Sequence, residues 1–334
     1  MKVSVRKISE VTGFSPATVS NALNHKHGVN AETAEKILKA AREMGYFEDV
    51  KINKVKFVLF KKFGSIVEDT PFFPQMITGV EEECRKEGLE MTIVNLDSRS
   101  PMYEMQVKEL MADQSSAVIL LGTEMTEEDE NLIRDAKVPM IVVDYWNNEM
   151  TFDTILINNL DTACQAVLYL AGRGHRKIGY LKGSIQIKPF ISRTAGYRHA
   201  MDRAGLEIDP RYEVELMPTM DGAYQDMKKY LETAEELPTA FFADNDMIAL
   251  GAMKAMWEAG IRIPEDVSVI GFDDLPYSSI SNPPLTTMRV PKQRMGNIAV
   301  RSLKYHIDEP DLPKYNIQVG TQLVERESVR TLEQ

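Results

Sequence analysis

The segment SPATVSNALN, residues 15–24, concentrates side chains that can bind a phosphate backbone. Thr18 and Ser20 carry hydroxyl groups, and Pro16 suits the first position of a helix because its missing N–H costs no hydrogen bond there. Ser15 can accept a backbone hydrogen bond as the N-cap residue. Because the free N–H groups of a helix N-terminus also bind anions, the segment predicts a helix whose first turn contacts phosphate.

Patterns typical of enzymes are absent from the sequence. It contains no Gly-x-x-x-x-Gly-Lys phosphate loop, no Gly-x-Gly-x-x-Gly after a strand and no Gly-x-Ser-x-Gly elbow. The five histidines are scattered, and the pair His25 and His27 is a weak metal-binding spacing. Cys84 and Cys164 are predicted to be reduced thiols. We therefore expect a protein that is not an enzyme and needs no metal or cofactor.

Charge is distributed unevenly along the chain. The 334 residues carry a net charge of −11, yet residues 1–54 hold nine Lys or Arg against six Asp or Glu. A basic head on an acidic body suits a protein whose head alone meets nucleic acid. The basic N-terminus lacks the apolar core of a signal peptide, and no apolar run is long enough to span a membrane. We therefore expect a cytoplasmic protein that makes no membrane contact.

The head pattern predicts three short helices around a tight turn. The first spans residues 6–11, with Ile8 and Val11 on one face, and Gly13 supplies the positive φ of a sharp turn. The second spans residues 16–23, and the third spans residues 31–44. Apolar residues at helical spacing give the second and third helices one buried stripe each, which predicts a helix-turn-helix unit.

From residue 55 the chain alternates apolar strands with amphipathic helices. Regular alternation of this kind predicts parallel sheets covered by helices on both faces, an α/β fold. More than ten strands would be unusual in one open sheet, so we expect two sheets and two lobes. Ligands on such sheets bind beyond the carboxyl ends of the strands, and a cleft between the lobes is the expected site.

The head resembles that of the LacI-type bacterial transcription regulators. The resemblance rests on VSVRKISEVTGFSPATVSNALN and on VNAETAEKILKAAREMGY. It implies that the second helix reads double-stranded DNA. Base contacts would come from Pro16, Ala17 and Asn21, and phosphate contacts from Thr18, Ser20 and Asn24, with Ser15 at the helix start.

Asn21 departs from the arginine that this family commonly carries at that position. Arginine favours guanine, whereas an amide makes its bidentate contact with adenine. We therefore expect an A·T pair opposite Asn21, with Ala17 packing on a thymine methyl group. A surface role without base contact stays open for Asn21.

The body resembles the same family most closely in residues 240–290, AFFADNDMIALGAMKAMWEAGIRIPEDVSVIGFDDLPYSSISNPPLTTMRV. The resemblance implies the fold of periplasmic sugar-binding proteins, a homodimer, and three crossings between lobes near Asn158, Arg289 and Gly320. The domains expected are a DNA-binding head over residues 1–47, a linker over 48–54 and a two-lobed body over 55–334. The first lobe would comprise about residues 55–158 and 290–320, and the second about 159–289 and 321–334.

The resemblance also implies a pocket for a small polar effector, a sugar or sugar derivative. Aromatic faces combined with carboxylate, amide and guanidinium groups suit a sugar, whose hydroxyls both donate and accept hydrogen bonds. Purine-type ligands stay open, since aromatic rings stack on them too. Structural roles stay open as well: a turn cap, a structural ion pair, an N-cap or simple core packing. The residues implied are Phe72, Phe73, Trp146, Asp161, Arg193, Asn245 and Asp273.

The linker FEDVKINK, residues 47–54, is shorter than is usual in this family. Related regulators carry a Pro-Asn-x-x-Ala-Arg-x-Leu segment that folds into a hinge helix on DNA and inserts its leucine into the minor groove. Eight residues span at most about 28 Å when extended, and a helix with two connections does not fit. We therefore expect an extended or irregular linker without leucine insertion. An operator complex with a paired minor-groove helix from these residues would contradict this.

Overall fold

The protein, analysed as a computed structural model, divides into two compact units, Met1–Asn53 and Lys54–Gln334. None of the described helices is long and apolar enough to cross a bilayer. The prediction for the linker falls mainly on residues 45–51, which lie outside the described residues. The structure describes residues 4–23, 29–44, 52–68, 70–134, 136, 138–309 and 313–333.

Eleven α-helices and twelve strands are found in the described residues. The helices are α1 Val5–Thr12, α2 Pro16–Leu23, α3 Ala31–Glu43, α4 Phe72–Lys86, α5 Tyr103–Ala112, α6 Glu127–Ile133, α7 Asn159–Gly172, α8 Lys188–Arg203, α9 Met220–Thr233, α10 Asp246–Glu258 and α11 Lys292–Asp308. The strands are β1 Lys54–Lys61, β2 Glu90–Asp97, β3 Ser116–Leu121, β4 Met140–Val143, β5 Asp153–Ile157, β6 Ile178–Gly183, β7 Glu213–Leu216, β8 Ala240–Ala243, β9 Ser268–Asp273, β10 Thr286–Arg289, β11 Asn316–Val319 and β12 Gln322–Val324.

The head is a small bundle of α1, α2 and α3. Gly13 ends α1 with φ 75°, and its N–H donates to the Ser9 carbonyl, so the predicted turn glycine takes the left-handed conformation. Of the two residues predicted to share one face of α1, Ile8 is buried, whereas the side chain of Val11 is 59% exposed. At the end of a helix of eight residues, Val11 lies beyond the small core. That core consists of Ile8, Val19, Ala22, Ile37 and Ala41.

The body contains two six-stranded sheets, which confirms the predicted α/β fold. The first sheet has the order β11-β5-β4-β3-β1-β2, and all its strands are parallel. The second has the order β12-β10-β9-β8-β6-β7, and only β12 runs antiparallel to its neighbour. We call the layers built on these sheets the first lobe and the second lobe.

The chain passes between the two lobes three times. It leaves the first sheet after β5, returns to it through α11 and β11, and ends beside β10 of the second sheet. Close packing of α11 on α4 joins the returning segment to the first lobe. A Cβ atom on Gly79 would lie 2.0 Å from the Gln293 carbonyl oxygen, and one on Gly296 would lie 2.4 Å from that of Met76. This packing places the N-terminus of α11 beside the carboxyl ends of the strands.

Candidate functional site

A cleft lined by both lobes lies where carboxyl ends of the two sheets approach each other. Its cavity volume is about 40 Å³. Parallel sheets bind ligands at this edge because the connecting loops diverge there. The first lobe contributes Ile66, Thr70, Phe72, Phe73, Thr123, Asp144 and Ile157 to the lining, and the second contributes Ile187, Pro189, Phe190, Arg193, Pro218, Asn245 and Asp273.

Asp273, the last residue of β9, brings a buried carboxylate to the cleft. Its backbone φ is 117°, a strained value for a residue with a side chain, and Lys292 donates hydrogen bonds to the carbonyl oxygens of Asp273 and Asp274. Its Oδ1 has no hydrogen-bond partner among the described residues and lies 3.9 Å from an Arg193 nitrogen. Burial raises the pKa of Asp273 to about 7, although the nearby Arg193 cation opposes that shift.

Asp144 brings a second carboxylate from the first lobe, directly after β4. Its φ is 64°, its Oδ2 accepts a hydrogen bond of 2.9 Å from the Thr123 hydroxyl, and its Oδ1 has no partner among the described residues. Burial raises the pKa of Asp144 to about 6. Asp144 was not among the pocket residues expected from the sequence. The signal was present, since an aspartate directly follows the buried run MIVV.

The Arg193 cation in α8 lowers the pKa of both carboxyl groups, against the effect of their burial. Its Nε donates to the Asn159 amide oxygen at 2.8 Å, and its Nη1 donates to the Asp244 carbonyl oxygen. The centre of the guanidinium lies 3.6 Å from the centroid of the Phe272 ring. These contacts fix the guanidinium plane and leave Nη2 directed to the Asp273 side of the cleft. One fixed cation therefore faces two buried acids.

The predicted aromatic and amide residues also line the cleft. Phe72 and Phe73 begin α4 and form an edge-to-face pair with ring centroids 5.1 Å apart. Asn245 is the N-cap residue of α10, and its side-chain oxygen accepts a hydrogen bond from the Ile248 N–H at 2.9 Å. The amide nitrogen of Asn245 is thus the group that a ligand could use as a donor.

Contacts between the lobes close one side of the cleft. Ile66 of the first lobe packs with Ile187 and Phe190 of the second. Lys188 crosses the same boundary, where its Nζ donates to the Trp146 carbonyl oxygen at 2.5 Å and lies 4.2 Å from the centroid of the Tyr145 ring. Apolar packing and a cation–π contact therefore hold the lobes together at this edge.

A buried glutamate shapes the loop that carries Ile66. The Glu124 carboxylate accepts hydrogen bonds of 2.8 to 3.1 Å from five backbone N–H groups, and it is fully buried. A carboxylate that satisfies five donors fixes the loop backbone. The loop can then hold Ile66 in contact with the second lobe. The five donors are the N–H groups of Lys62, Phe63, Gly64, Ile66 and Val67.

Trp146 and Asp161 do not line this cleft. They lie together in an adjoining cavity, which shares Ile157 with the cleft. Asp161 is exposed and accepts a hydrogen bond of 2.9 Å from the Asn158 amide. The structure therefore brings together five of the seven residues expected in the pocket and places the other two beside them.

The head presents the start of α2 to solvent. Ser15, Pro16 and Ala17 are exposed, and the Ser15 Oγ accepts a hydrogen bond of 3.1 Å from the Thr18 N–H. The hydroxyls of Ser15 and Thr18 lie 2.8 Å apart. Exposed positions of this kind can reach base edges or phosphates. Thr18, Ser20 and Asn21 are half-buried, and Asn24 lies outside the described residues.

Comparisons with known proteins place this architecture among bacterial regulators. The family model for bacterial regulatory proteins of the lacI family matches residues 5–49, and that for a periplasmic binding protein-like domain matches residues 167–329. The HTH-type transcriptional repressor PurR of Pasteurella multocida (strain Pm70) is 30% identical over 331 residues, which cover 98% of this chain and 99% of the relative. The chain belongs to the LacI family of bacterial transcriptional regulators. The PurR repressor of Vibrio atlanticus (strain LGP32) is 32% identical over 335 residues, with the same coverage of both chains.

Solved structures of other regulators share this fold. A complex of the transcriptional regulator CelR with cellobiose has a TM-score of 0.75 and 25% identity, over 98% of this chain and 100% of that one. The lac repressor dimer bound to operator and an anti-inducer has a TM-score of 0.73 over 99% of this chain and 100% of that one; at 24% identity it supports the fold alone. The predicted family is confirmed.

The raised pKa of Asp273 predicts that this residue lowers the stability of the folded LacI-family regulator in a pH-dependent way. Because the folded protein binds this proton more tightly than the unfolded chain does, the residue destabilises the fold progressively between about pH 4 and pH 7. Asp273→Asn should therefore gain stability relative to the wild type, by at most about 1.4 kcal/mol per pH unit in that window, with no further gain above it. Urea unfolding from pH 4 to pH 9 measures this difference.

A matched control is Asp202→Asn, because Asp202 is exposed on α8. This variant reports the effect of replacing a carboxyl group by an amide at a site outside the cleft. A pH-independent difference for Asp273→Asn would show that Asp273 is ionised without penalty in the folded protein.

Proposed function

We propose that this chain is a repressor that binds double-stranded operator DNA as a homodimer in the cytoplasm, and that a small neutral polyol sets its DNA affinity. The effector would be a sugar or sugar derivative held between the lobes. One observation carries the proposal: Asp144 and Asp273 reach the cleft from opposite lobes, each with a buried oxygen that lacks a partner among the described residues. A molecule rich in hydroxyl donors satisfies both oxygens together.

Charge in the cleft favours a neutral ligand over an anion. Among the described residues that line the cleft, Arg193 is the only one with a cationic side chain, against two carboxyl groups. A phosphate or carboxylate ligand would add negative charge to a buried site that already holds more acid than base. The Phe72 and Phe73 rings give the C–H face of a sugar an apolar surface to pack on.

Ligand control follows if the effector binds one arrangement of the lobes more tightly than the other. Hydrogen bonds to Asp144 and Asp273 span both lobes, so a ligand that makes both bonds favours the closed arrangement. Its effect on DNA affinity equals its difference in affinity for the two states. The residue pair across the cleft would therefore couple sugar binding to the arrangement of the lobes.

A nucleobase is the second candidate effector, since three phenylalanines line the cleft: Phe72, Phe73 and Phe190. A protein of this fold that binds its ligand without reading specific DNA is the second candidate function. Thermal-shift and DNA-binding measurements distinguish both alternatives from the sugar-controlled repressor.

Ligand and DNA binding can be tested with the full chain. In a thermal-shift panel, neutral sugars should raise Tm, whereas sugar phosphates and nucleobases should not. The sugar should change the mobility shift of a DNA site obtained by selection from random sequence. Asp144→Asn and Asp273→Asn should each weaken sugar binding at least about tenfold, since one charge-assisted hydrogen bond is lost.

Asp202→Asn serves again as the control and should bind like the wild type. A Tm shift with nucleobases alone would replace the sugar by the second effector. Sugar binding without any selectable DNA site would favour the binding-protein alternative.

Asn21 should set one base pair of the operator. Selection with the wild type should return A·T at the position read by α2, because an amide pairs with adenine N6 and N7. Asn21→Arg should change the preference to G·C at that position alone. Selection of an invariant G by the wild type would contradict the assignment.

A further inference from the structure

Two buried carboxyl groups line the effector cleft, one from each lobe. Asp144 directly follows β4 of the first lobe, and Asp273 is the last residue of β9 of the second. The Oδ1 of each is buried without a hydrogen-bond partner among the described residues. The cavity between the lobes has a volume of about 40 Å³, which leaves room for a few water molecules at most. Both oxygens therefore have little contact with water while the lobes are packed together.

The charged groups around these two acids compensate them incompletely. Arg193 of α8 lies 3.9 Å from the Asp273 Oδ1 and lowers the pKa of both acids. From α11, the Lys292 cation also lowers the pKa of Asp273, although its ammonium donates its hydrogen bonds to backbone carbonyl oxygens. From α10, the negative charge of Asp246 raises the pKa of Asp273. Burial outweighs the two cations and raises the pKa to about 6 for Asp144 and to about 7 for Asp273.

Two other buried acids, Asp244 and Asp246, belong to the second lobe alone. Their carboxylates accept hydrogen bonds from groups of that same lobe, and neither acid is among the described residues that line the cleft. The donors are the Tyr180 hydroxyl and the Gly183 N–H for the first acid, and the Leu275 N–H and the Ser278 and Thr287 hydroxyls for the second. Separation of the lobes therefore changes the surroundings of Asp144 and Asp273 more than those of the other two acids.

Opening of the cleft would bring water to Asp144 and Asp273. A hydrated aspartate has a pKa of about 3.9, so the open arrangement binds protons more weakly than the closed one. By linkage, a fall in pH favours the arrangement with the higher proton affinity, which is the closed one. The gain begins as the pH falls through about 7, the pKa of Asp273 in the closed cleft, and is complete at about pH 4.

We propose that protons close the effector cleft, so that the body of this regulator responds to acidification without an effector. A proton removes the buried negative charge of Asp144 or Asp273, whereas an effector hydroxyl would stabilise that charge by a hydrogen bond. Acid and effector then favour the same arrangement of the lobes through the same two groups. The inference holds for any effector, because it requires the two acids and the movement of the lobes alone.

Trp146 provides a reporter of closure at the lobe boundary. The Lys188 ammonium of the second lobe lies 5.6 Å from the centroid of the indole ring and donates to the Trp146 carbonyl oxygen at 2.5 Å. Separation of the lobes removes both contacts and exposes the ring to water. The chain has two tryptophans, so Trp257→Phe leaves one emitter. Trp257 is 71% exposed on α10 and does not line the cleft, so this change keeps the cleft intact.

Acrylamide quenching of Trp146 in the full chain with Trp257→Phe, from pH 6 to pH 8.5 and without effector, tests the proposal. The ratio of closed to open protein should rise about tenfold between pH 8 and pH 6, because Asp273 becomes protonated in the closed cleft over that range. Quenching should therefore be weaker at pH 6 than at pH 8.5. Asp144→Asn and Asp273→Asn should each reduce this response, and the two together should abolish it.

Asp202→Asn in the same background is the matched control and should keep the full response, because Asp202 is exposed on α8. Quenching that is independent of pH, or stronger at pH 6, would overturn the proposal. So would a response that survives in the double variant, since it would assign the titration to Glu130, which lies 3.6 Å from the Lys188 ammonium. Should the double variant not fold, an undiminished response in both single variants would overturn it equally. Because no effector is added, failure of every sugar to bind leaves this test unaffected.

Discussion

The effector cleft depends on an imbalance of buried charge. Two carboxyl groups, Asp144 and Asp273, occupy the ends of strands in different lobes, and the one guanidinium between them is already engaged by Asn159 and the Asp244 carbonyl. Burial without enough partners raises the pKa of both acids. Such an arrangement costs stability in the empty protein, and hydroxyl donors from a ligand would recover that cost. The site is thus built for a molecule that bridges the lobes.

Other features of the body maintain that arrangement. Lys292 at the start of α11 bonds the carbonyl oxygens of Asp273 and Asp274, where the backbone takes positive φ. The glycines of the α4–α11 crossing bring this lysine and Phe72 close together, with Nζ 5.3 Å from the ring centroid. At the other edge of the cleft, Lys188 and Ile66 hold the two lobes together. The Glu124 carboxylate fixes the loop that carries Ile66. Contacts from both lobes therefore maintain the arrangement of Asp144 and Asp273.

Much of the fold could be predicted from the sequence. Strand–helix alternation from residue 55 gave the two parallel sheets, because buried parallel strands read as continuous apolar runs. The exposure of Val11 could not be predicted, because helical spacing indicates which residues share a face and cannot show where a three-helix core ends. Asp144 was not predicted because it directly follows the apolar run MIVV, where the sequence does not show the end of the strand.

The separation of Trp146 and Asp161 from the cleft could not be predicted. Sequence position places both near a strand end or a helix start, which is correct, but they line a different cavity, which shares Ile157 with the cleft. Asn159 shows the same limit: its amide, two residues before Asp161, is the group that orients Arg193. A turn of α7 decides which of these residues faces the guanidinium, and that depends on tertiary packing.

Proton release on effector binding tests the central claim most directly. Calorimetric titrations with the sugar that raises Tm most, near pH 6.5 and in buffers of different ionisation enthalpy, give the number of protons exchanged. Hydroxyl donors stabilise the ionised carboxylates, so binding should release up to about one proton per ligand, and the release should vanish above about pH 9. The release should fall in Asp273→Asn. Binding heats that are independent of the buffer at pH 6.5, or net proton uptake, would contradict the account.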